Sequence, residues 1–354
     1  MIEAHFGERA PFSVGVEEEL MVLDGESLAL APRAAAIIGA AEDTGLTGTL
    51  KSELFASALE LNTGICDSPE QAAEALAELR RSAGELARER GLRLAAAGSH
   101  PISRPDEQEI ADEQRYLEFV EYAGISARRQ GVSGLHVHVG MASPDACFQA
   151  LEGVLPWLPV VLAISVNSPY LAGEETGLLS NRAEVLAQLP RTGAPPAFRS
   201  YAEWEEFVEL FMRLRVADDY TRFWWDIRPH PRLGTLEIRM PDQPTTLERT
   251  AELVSLLRGL CEAVLEQPAD HDPAARGFYQ QNRWAASRFG LAAELIHPDG
   301  KRTAPASELA AELADLAGAS KIDVSRTEAD RQLEVGRAQG LQAVCADLVE
   351  RTVS

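Results

Sequence analysis

Three consecutive glutamates interrupt an apolar stretch at residues 12–23, FSVGVEEELMVL, near the N-terminus. In a β-strand the side chains alternate between two faces, so Glu18 shares the apolar face while Glu17 and Glu19 share the opposite one. Neighbouring carboxylates repel one another and are poor strand formers, so such a strand needs a compensating positive charge, which a bound metal ion would supply. A solvated strand end or a glutamate-rich first helical turn is the alternative explanation.

Three later segments alternate in the same way, each with an apolar face and a polar face. The polar faces carry Glu60 and Asn62 in residues 55–62, His136 and His138 in residues 135–140, and Glu237 and Arg239 in residues 235–240. Two histidines on one face indicate metal ligation or phosphate contact, although HxH is shared with zinc sites and cupin-like barrels. A glutamate and an arginine at this spacing can also form an ordinary cross-strand salt bridge.

An antiparallel sheet containing all four strands would pack its apolar face on helices and gather the carboxylates, imidazoles and guanidinium groups on the other face. Such a face would be unstable without cations. Carboxylates with imidazole suit Mg²⁺ or Mn²⁺ bridging nucleotide phosphates, because hard divalent ions prefer oxygen ligands, whereas zinc sites use fewer carboxylates. The sequence therefore predicts an α+β protein with a metal and nucleotide site on one sheet face.

Arginines supply positive charge near two of these motifs. Residues 222–239 contain four arginines against two acids, and this cationic segment in an acidic chain suits an anionic substrate. The stretch 167–182, with its Pro, Gly and Ser/Thr residues, is too long for a simple connection and is typical of a binding loop. Arg182 at its end is a candidate carboxylate clamp, and a surface loop arginine is the alternative.

Charge and cysteine content exclude several classes of partner. A formal net charge of −22 over 354 residues argues against nucleic acids and anionic membranes, both of which would be repelled. The longest apolar stretch, residues 154–166, is too short to span a bilayer, and the N-terminus lacks a signal-peptide pattern. Four widely spaced cysteines without a CxxC pair favour reduced thiols in a cytoplasmic protein.

The segments between the strands predict helices. Ser68 followed by Pro69 has the pattern of a capping box with proline at the first helical position, and apolar residues keep helical spacing up to Gly91. A charged helix is expected at about residues 106–122.

Six motifs in order along residues 12–289 resemble the glutamate–cysteine ligase type 2 family, the YbdK-like carboxylate–amine ligases. They are VGVEEELMVL, ELNTG, GLHVHVGM, NSPYLAGEETGLLSNR, WWDIRPHPRLGTLEIRMPD and NRW. The resemblance implies a glutamine-synthetase-like fold, a curved antiparallel sheet with helices on its outer face and ATP with Mg²⁺ on its inner face. It also implies ATP-dependent joining of L-glutamate and L-cysteine to γ-glutamylcysteine through an acyl phosphate, as in glutathione biosynthesis.

On this basis we assign three groups of candidate site residues. The metal ligands would be Glu17, Glu19, Glu60, His136 and Glu237, the catalytic cations Arg239, Arg182 and Arg228, and the nucleotide-binding residues His138, Asn62, Asn282 and Arg283. The chain, 1–354, is expected to be one catalytic domain with a core at about 12–289 and a helical portion at about 290–354. We also expect that removing Glu237 relieves repulsion and leaves stability equal or higher.

Other functions use similar residues. A metal-dependent hydrolase would need neither ATP nor two organic substrates, and a guanidino-phosphotransferase would favour arginines over acidic ligands. A regulatory pseudoenzyme would hold nucleotide without turnover. A ligase with a different acid or amine also fits the motifs, and the sequence does not distinguish a monomer from a homo-oligomer.

Overall fold

The computed structural model describes residues 2–42, 45–266, 273–319 and 322–353. Its strands in these ranges are β1 (Val14–Asp24), β2 (Thr49–Ser52), β3 (Ala58–Asn62), β4 (Leu92–Ala95), β5 (Leu135–Gly140), β6 (Tyr170–Leu171), β7 (Glu174–Glu175), β8 (Ile227–His230), β9 (Thr235–Ile238), β10 (Glu294–Ile296) and β11 (Thr303–Pro305). Its helices in the same ranges are α1 (Ala34–Ala41), α2 (Pro69–Arg88), α3 (Gln114–Ala123), α4 (Ile125–Arg128), α5 (Pro144–Val154), α6 (Leu158–Ser165), α7 (Asn181–Leu186), α8 (Tyr201–Arg213), α9 (Leu247–Glu266), α10 (Pro273–Phe289), α11 (Ala306–Leu316), α12 (Glu328–Gln339) and α13 (Leu341–Thr352).

The glutamate-rich strand β1 is the centre of the main sheet. It pairs antiparallel with β3 on one side and, on the other, with β5 along its first half and β4 along its second half. The order across the sheet is β2-β3-β1-β5-β9-β8, and these neighbours are also antiparallel. The predicted antiparallel sheet is confirmed.

The apolar face of this sheet packs on helices, as the alternation predicts. Val16 of β1, Val137 of β5 and Ile238 of β9 lie in one buried cluster, which also contains residues of α5, α6 and α9. Fully burying one side chain of this kind stabilises the fold by about 1.5–3 kcal/mol. The α+β architecture, with helices packed on the apolar sheet face, is therefore confirmed.

The C-terminal helices pack on both faces of the sheet, because Met21 lies on the same face of β1 as Glu17 and Glu19. Leu313 of α11 and Ala329 of α12 lie in the same buried cluster as the first half of β1. Val344 of α13 packs with Met21 in the second half of β1. The organisation as one catalytic domain, with a division at about residue 289, stays a prediction.

The segment Pro144–Ser165 is long and apolar enough to cross a membrane by length and composition, but 78% of its most apolar window is buried inside the protein. Ser143 caps its first turn by accepting a hydrogen bond from the Ala146 amide at 3.1 Å. A 3₁₀ turn at Leu155–Trp157 separates α5 from α6. Burial of this extent is typical of a core helix.

A buried ion pair interrupts the apolar face of the sheet. Arg80 of α2 donates two hydrogen bonds to the Glu18 carboxylate, from Nε and Nη2, both at 2.7 Å. Thr250 Oγ1 and Gln243 Nε2 donate to the same carboxylate at 2.7 and 3.0 Å. Glu18 is fully buried and Arg80 is 1% exposed. The middle glutamate of the motif therefore ties β1 to α2 and α9.

The predicted helix at residues 106–122 is wrong in its first half. A 3₁₀ turn at Pro105–Glu107 is followed by extended chain, and α3 begins at Gln114. In the extended part the Ala111 amide donates to the Leu54 carbonyl at 3.0 Å, next to an antiparallel bridge between residues 55 and 110. Because this backbone pairs with the loop before β3, it cannot form helical hydrogen bonds, and α3 begins after the pairing ends.

Candidate active site

The antiparallel register places the predicted site residues side by side on the face opposite the helices. Glu17 of β1 lies between Asn62 of β3 and His136 of β5. The other cross-strand pairs are Glu19 with Glu60, His138 with Glu237, and Glu237 with Arg228.

This face forms a wall of a cavity of about 550 Å³. Both histidines, all four acids and all three arginines assigned from the sequence line it: Glu17, Glu19, Glu60, His136, His138, Arg182, Arg228, Glu237 and Arg239. The cavity therefore gathers residues from five strands and from the start of α7.

Glu17 lies between the two histidines. Its carboxylate is 3.2 Å from His136 Nδ1 and 3.6 Å from His138 Nε2. Burial opposes ionisation of Glu17, but the two imidazoles outweigh it and lower its pKa. Burial, reinforced by Arg239, lowers the pKa of His136 to about 4, so this imidazole is neutral at pH 7. His138 Nδ1 bonds to Thr235 Oγ1 at 3.0 Å, which leaves Nε2 facing Glu17.

Glu237 is the shared partner of two arginines. Arg228 bonds to it from Nε and Nη2 at 2.6 and 3.1 Å, and Arg239 Nη1 bonds to its Oε1. Burial by itself would raise the pKa of Glu237, but the two guanidinium groups hold it well below the usual range. The expectation that Glu237 is a source of repulsion is therefore wrong, because cations surround it.

A second group of acids is short of cations. Glu19, Glu53 and Glu60 lie together, with Lys51 Nζ 3.7 Å from Glu60 and Asn62 donating to Glu60 at 2.7 Å. Burial raises the pKa of Glu19 to about 7, with Arg182 opposing and Glu60 adding to the rise. Burial and the other two carboxylates also raise the pKa of Glu53 well above its usual value.

Two sets of ligand atoms fit divalent cations. Glu17, His138 and Glu237, here the Glu17 cluster, bring one atom each within 4.8 Å of one another, and so do Glu19, Glu53 and Glu60, here the Glu19 cluster. In the first, His138 Nε2 is buried without a hydrogen-bond partner, which leaves it free for a ligand. In the second, the carboxylates of buried Glu60 and half-buried Glu19 and Glu53 supply the oxygen atoms that Mg²⁺ and Mn²⁺ prefer. The residues fit the metal that the resemblance implies.

The Glu19 cluster has a consequence for the pH dependence of stability. The native Glu19 pKa of about 7 lies above its usual value of 4.5, so the folded protein keeps a proton that the unfolded chain releases between these pH values. Without metal, Glu19 is therefore expected to lower the free energy of unfolding by on the order of 3 kcal/mol as pH rises from 4.5 to above 7.

Denaturant unfolding in EDTA at pH 5 and pH 8 measures this effect, with Glu19→Gln as the comparison. The variant should show a smaller pH-dependent fall than the unmodified protein, because the contribution of Glu19 is absent while that of Glu53 remains. Equal falls in both proteins would contradict the assignment of the titration to Glu19.

The Arg182 side chain is held in place by backbone groups. Its guanidinium donates to the Met240 and Arg239 carbonyls, both at 3.0 Å, and lies 4.0 Å from Asp242. A Cβ at Gly134 would lie 2.0 Å from Arg182 Nη2, so a larger residue there would displace the guanidinium group. Arg182 therefore positions the chain that follows β9 and adds positive charge to the cavity beside Glu19.

Asn282 and Arg283 do not line the cavity. The Asn282 amide exchanges two hydrogen bonds with the backbone of Ile296, at 2.7 and 2.9 Å. Arg283 is 1% exposed and donates to Asp226 at 2.9 Å and to the Ala183 carbonyl at 2.7 Å. Both side chains fasten α10 to neighbouring elements, which leaves them no contact with the site.

Asn62 lies in a second cavity of about 290 Å³ that adjoins the first, since Glu17 and His138 line both. Its amide oxygen accepts a hydrogen bond from Lys51 Nζ at 2.9 Å. The exposed side chains of Ile65 and Leu233 are among those that make the lining of this second cavity largely apolar.

Glu53 is a site residue that the sequence reasoning missed. It follows β2, a strand of four residues, which is too short for alternation to be convincing. An alternating pattern was nevertheless present in the sequence, because the polar residues Thr49, Lys51 and Glu53 occupy alternate positions. In the structure Lys51 pairs with Glu60 across the sheet.

Solved structures identify the fold. A glutamate–cysteine ligase from Francisella tularensis in complex with AMP matches with a TM-score of 0.73 at 14% identity, covering 98% of this chain and 89% of that chain. A bifunctional glutathione synthetase from Pasteurella multocida matches with a TM-score of 0.65 at 15% identity, covering 96% of this chain and 50% of that chain. The chain has the glutamine-synthetase-like fold of these ligases, which confirms the predicted fold class.

Sequence comparison identifies the family. The model of glutamate–cysteine ligase family 2 (GCS2) matches residues 13–340. A Rubrobacter xylanophilus protein named "Putative glutamate--cysteine ligase 2-3" is 38% identical over 99% of this chain and 100% of its own length. A similarly named Herpetosiphon aurantiacus protein is 32% identical over 97% of this chain and 94% of its own. The chain belongs to glutamate–cysteine ligase family 2, as the resemblance indicated.

Proposed function

We propose that the protein is an ATP-dependent carboxylate–amine ligase that joins the γ-carboxylate of L-glutamate to L-cysteine or another amine. The observation that carries the proposal is the cavity in which the Glu17 and Glu19 clusters lie beside Arg182, Arg228 and Arg239. Carboxylates suit Mg²⁺ or Mn²⁺, and arginines suit phosphoryl and carboxylate groups, so the cavity offers what a ligase of this class requires.

Each cluster would hold one divalent ion, which when bound would neutralise phosphate charge and polarise the γ-phosphoryl group. In the proposed reaction an oxygen of the acid attacks the γ-phosphorus and ADP leaves, so an acyl phosphate forms. The amine nitrogen then attacks the acyl carbon, and phosphate leaves with the former carboxylate oxygen. Arg228 and Arg239, which flank Glu237, would offset the charge on the transferred phosphoryl group.

The second cavity would take the nucleoside end of ATP. Its largely apolar lining suits an adenine ring, and Lys51 and Asn62 line it as polar groups. Glu17 and His138 line both cavities and belong to the Glu17 cluster. A nucleoside in the second cavity would therefore direct its phosphates towards this cluster and into the first cavity.

ADP release from the full-length protein, with ATP and Mg²⁺, tests this function. We expect ADP when glutamate and an amine are both present, together with a γ-glutamyl amide detected by mass spectrometry. ATP and Mg²⁺ should also stabilise the protein by mass action, by about 2.7 kcal/mol at a hundredfold excess over Kd. Stabilisation without ADP release from any pair would favour a nucleotide-binding pseudoenzyme, and substrate hydrolysis without ATP would favour a hydrolase.

The proposal includes a cytoplasmic setting, with small molecules as partners and without nucleic acid or membrane. The four cysteines are buried free thiols, which is compatible with a reducing compartment. A role in glutathione biosynthesis depends on cysteine being the natural amine, and the same ADP assay tests that point.

A further inference from the structure

A contiguous part of the main cavity lining, here called the apolar half, consists of apolar and aromatic side chains. Six side chains from the loop after β2, from α3, from the region of α7 and from the segment before β8 line this half: Leu54, Tyr116, Phe119, Leu186, Leu189 and Trp224. A cavity that served charged ligands alone would gain nothing from these side chains, because they cannot replace the hydration of a charged group.

The apolar side chains are held rigidly. Tyr116 donates its hydroxyl to the Ser52 carbonyl at 2.8 Å, and the rings of Phe119 and Trp224 are in contact with centroids 5.2 Å apart. The Arg191 guanidinium lies 5.4 Å from the centroid of the Trp224 ring. Tyr116 and Phe119 are each 9% exposed and belong to one buried cluster with Leu54 and Leu189. The surface is therefore preformed, and binding to it needs little ordering.

The acid substrate does not suit this half of the cavity. The α-amino and α-carboxylate groups of glutamate are charged and need polar partners. Arg115 and Arg222 also line the cavity, and their side chains are 56% and 26% exposed, so these arginines are accessible to the charged end of the acid. The apolar half then remains for the other organic substrate.

We propose that the amine substrate carries an apolar group of about the size of an aromatic ring, which packs against Phe119 and Trp224. This inference rests on the proposed ligase function. The side chain of cysteine would cover a small part of this surface, whereas a phenyl group presents the area and the ring faces that aromatic side chains pack against. The amine nitrogen would then point towards the carboxylate and arginine wall, where the acyl group is formed.

The experiment compares amines that differ by a phenyl group. The full-length protein receives ATP, Mg²⁺ and glutamate with 2-phenylethylamine or ethylamine, and with L-phenylalanine, L-alanine or L-cysteine. We expect kcat/KM for ADP release to be about tenfold to a hundredfold higher for each phenyl compound than for its small counterpart.

Variants of the aromatic side chains test whether the preference for phenyl amines arises at Phe119 and Trp224. Trp224→Ala should lower the ratio between phenyl and small amines, and Phe119→Leu provides a second, more conservative change if the first lowers stability. Trp284→Ala is the matched control, because Trp284 is 44% exposed on α10 and does not line the cavity. The control should keep the ratio of the unmodified protein.

Calorimetric titration with the same amines, in the presence of glutamate and a non-hydrolysable ATP analogue, separates the two proposals. ADP release that favours small amines or cysteine would overturn the apolar subsite and leave the ligase proposal standing. Selective binding of phenyl amines without ADP release would support the subsite and overturn the ligase proposal. Equal binding of phenyl and small amines, or an unchanged ratio in both cavity variants, would overturn the subsite.

Discussion

Replacing Glu237 with alanine is expected to lower the free energy of unfolding by about 3–5 kcal/mol in metal-free buffer, and to reduce turnover by about two to three orders of magnitude. The stability loss follows from its two partners, because Arg228 is buried and Arg239 is 20% exposed in its side chain, and both would lose the carboxylate between them. Turnover should fall because Glu237 also belongs to the Glu17 cluster.

Denaturant unfolding in EDTA and ADP release with saturating substrates measure the two effects. Glu334→Ala is a suitable control, since Glu334 is 70% exposed and pairs with Arg326 at the surface, where a pair contributes less than about 1 kcal/mol. Unchanged or higher stability of Glu237→Ala would restore the view that this carboxylate is mainly a source of repulsion.

Replacing Arg80 with methionine is expected to cost a similar amount, about 3–5 kcal/mol, without changing turnover per folded molecule. The change leaves Glu18 fully buried without its cation, and it removes hydrogen bonds to the Pro244, Thr245 and Thr352 carbonyls at 2.7–3.1 Å. Arg80 lies on the helix side of the sheet, so the cavity keeps all its groups.

Two further variants sharpen this experiment. Arg81→Met, at an exposed position of the same helix, should change stability by less than about 0.5 kcal/mol. The double change Glu18→Leu with Arg80→Met should recover part of the loss, because an apolar pair leaves no charge buried alone. A double variant less stable than Arg80→Met would show that the Glu18 carboxylate still stabilises the fold without its arginine.

Alternation along short segments was sufficient to predict the sheet and most of its polar face. The period of two residues assigned Glu17, His136, His138 and Glu237 to faces that the register then brought together. This works because one face of each strand is apolar apart from Glu18, and a slip by one residue would bury the other charges against the helices.

The missed features depend on contacts between distant parts of the chain. Glu18 stood among apolar neighbours, and no local pattern shows that its partner is Arg80, 62 positions away in a helix. Asn282 and Arg283 were assigned to the site by motif, whereas their partners Ile296 and Asp226 become visible when the helices are placed. The pairing that displaces the start of α3 is equally non-local.

The position of β1 in the sheet also has a consequence for synthesis. This strand emerges early, but β4 and β5, which pair with one of its edges, are completed about 70 to 120 residues later, so that edge stays open while the ribosome continues. Unpaired apolar strands tend to associate with one another, and charged side chains on such a strand oppose that association. We therefore expect Glu17 and Glu19, which line the cavity in the folded protein, to oppose association between nascent chains before the sheet is complete.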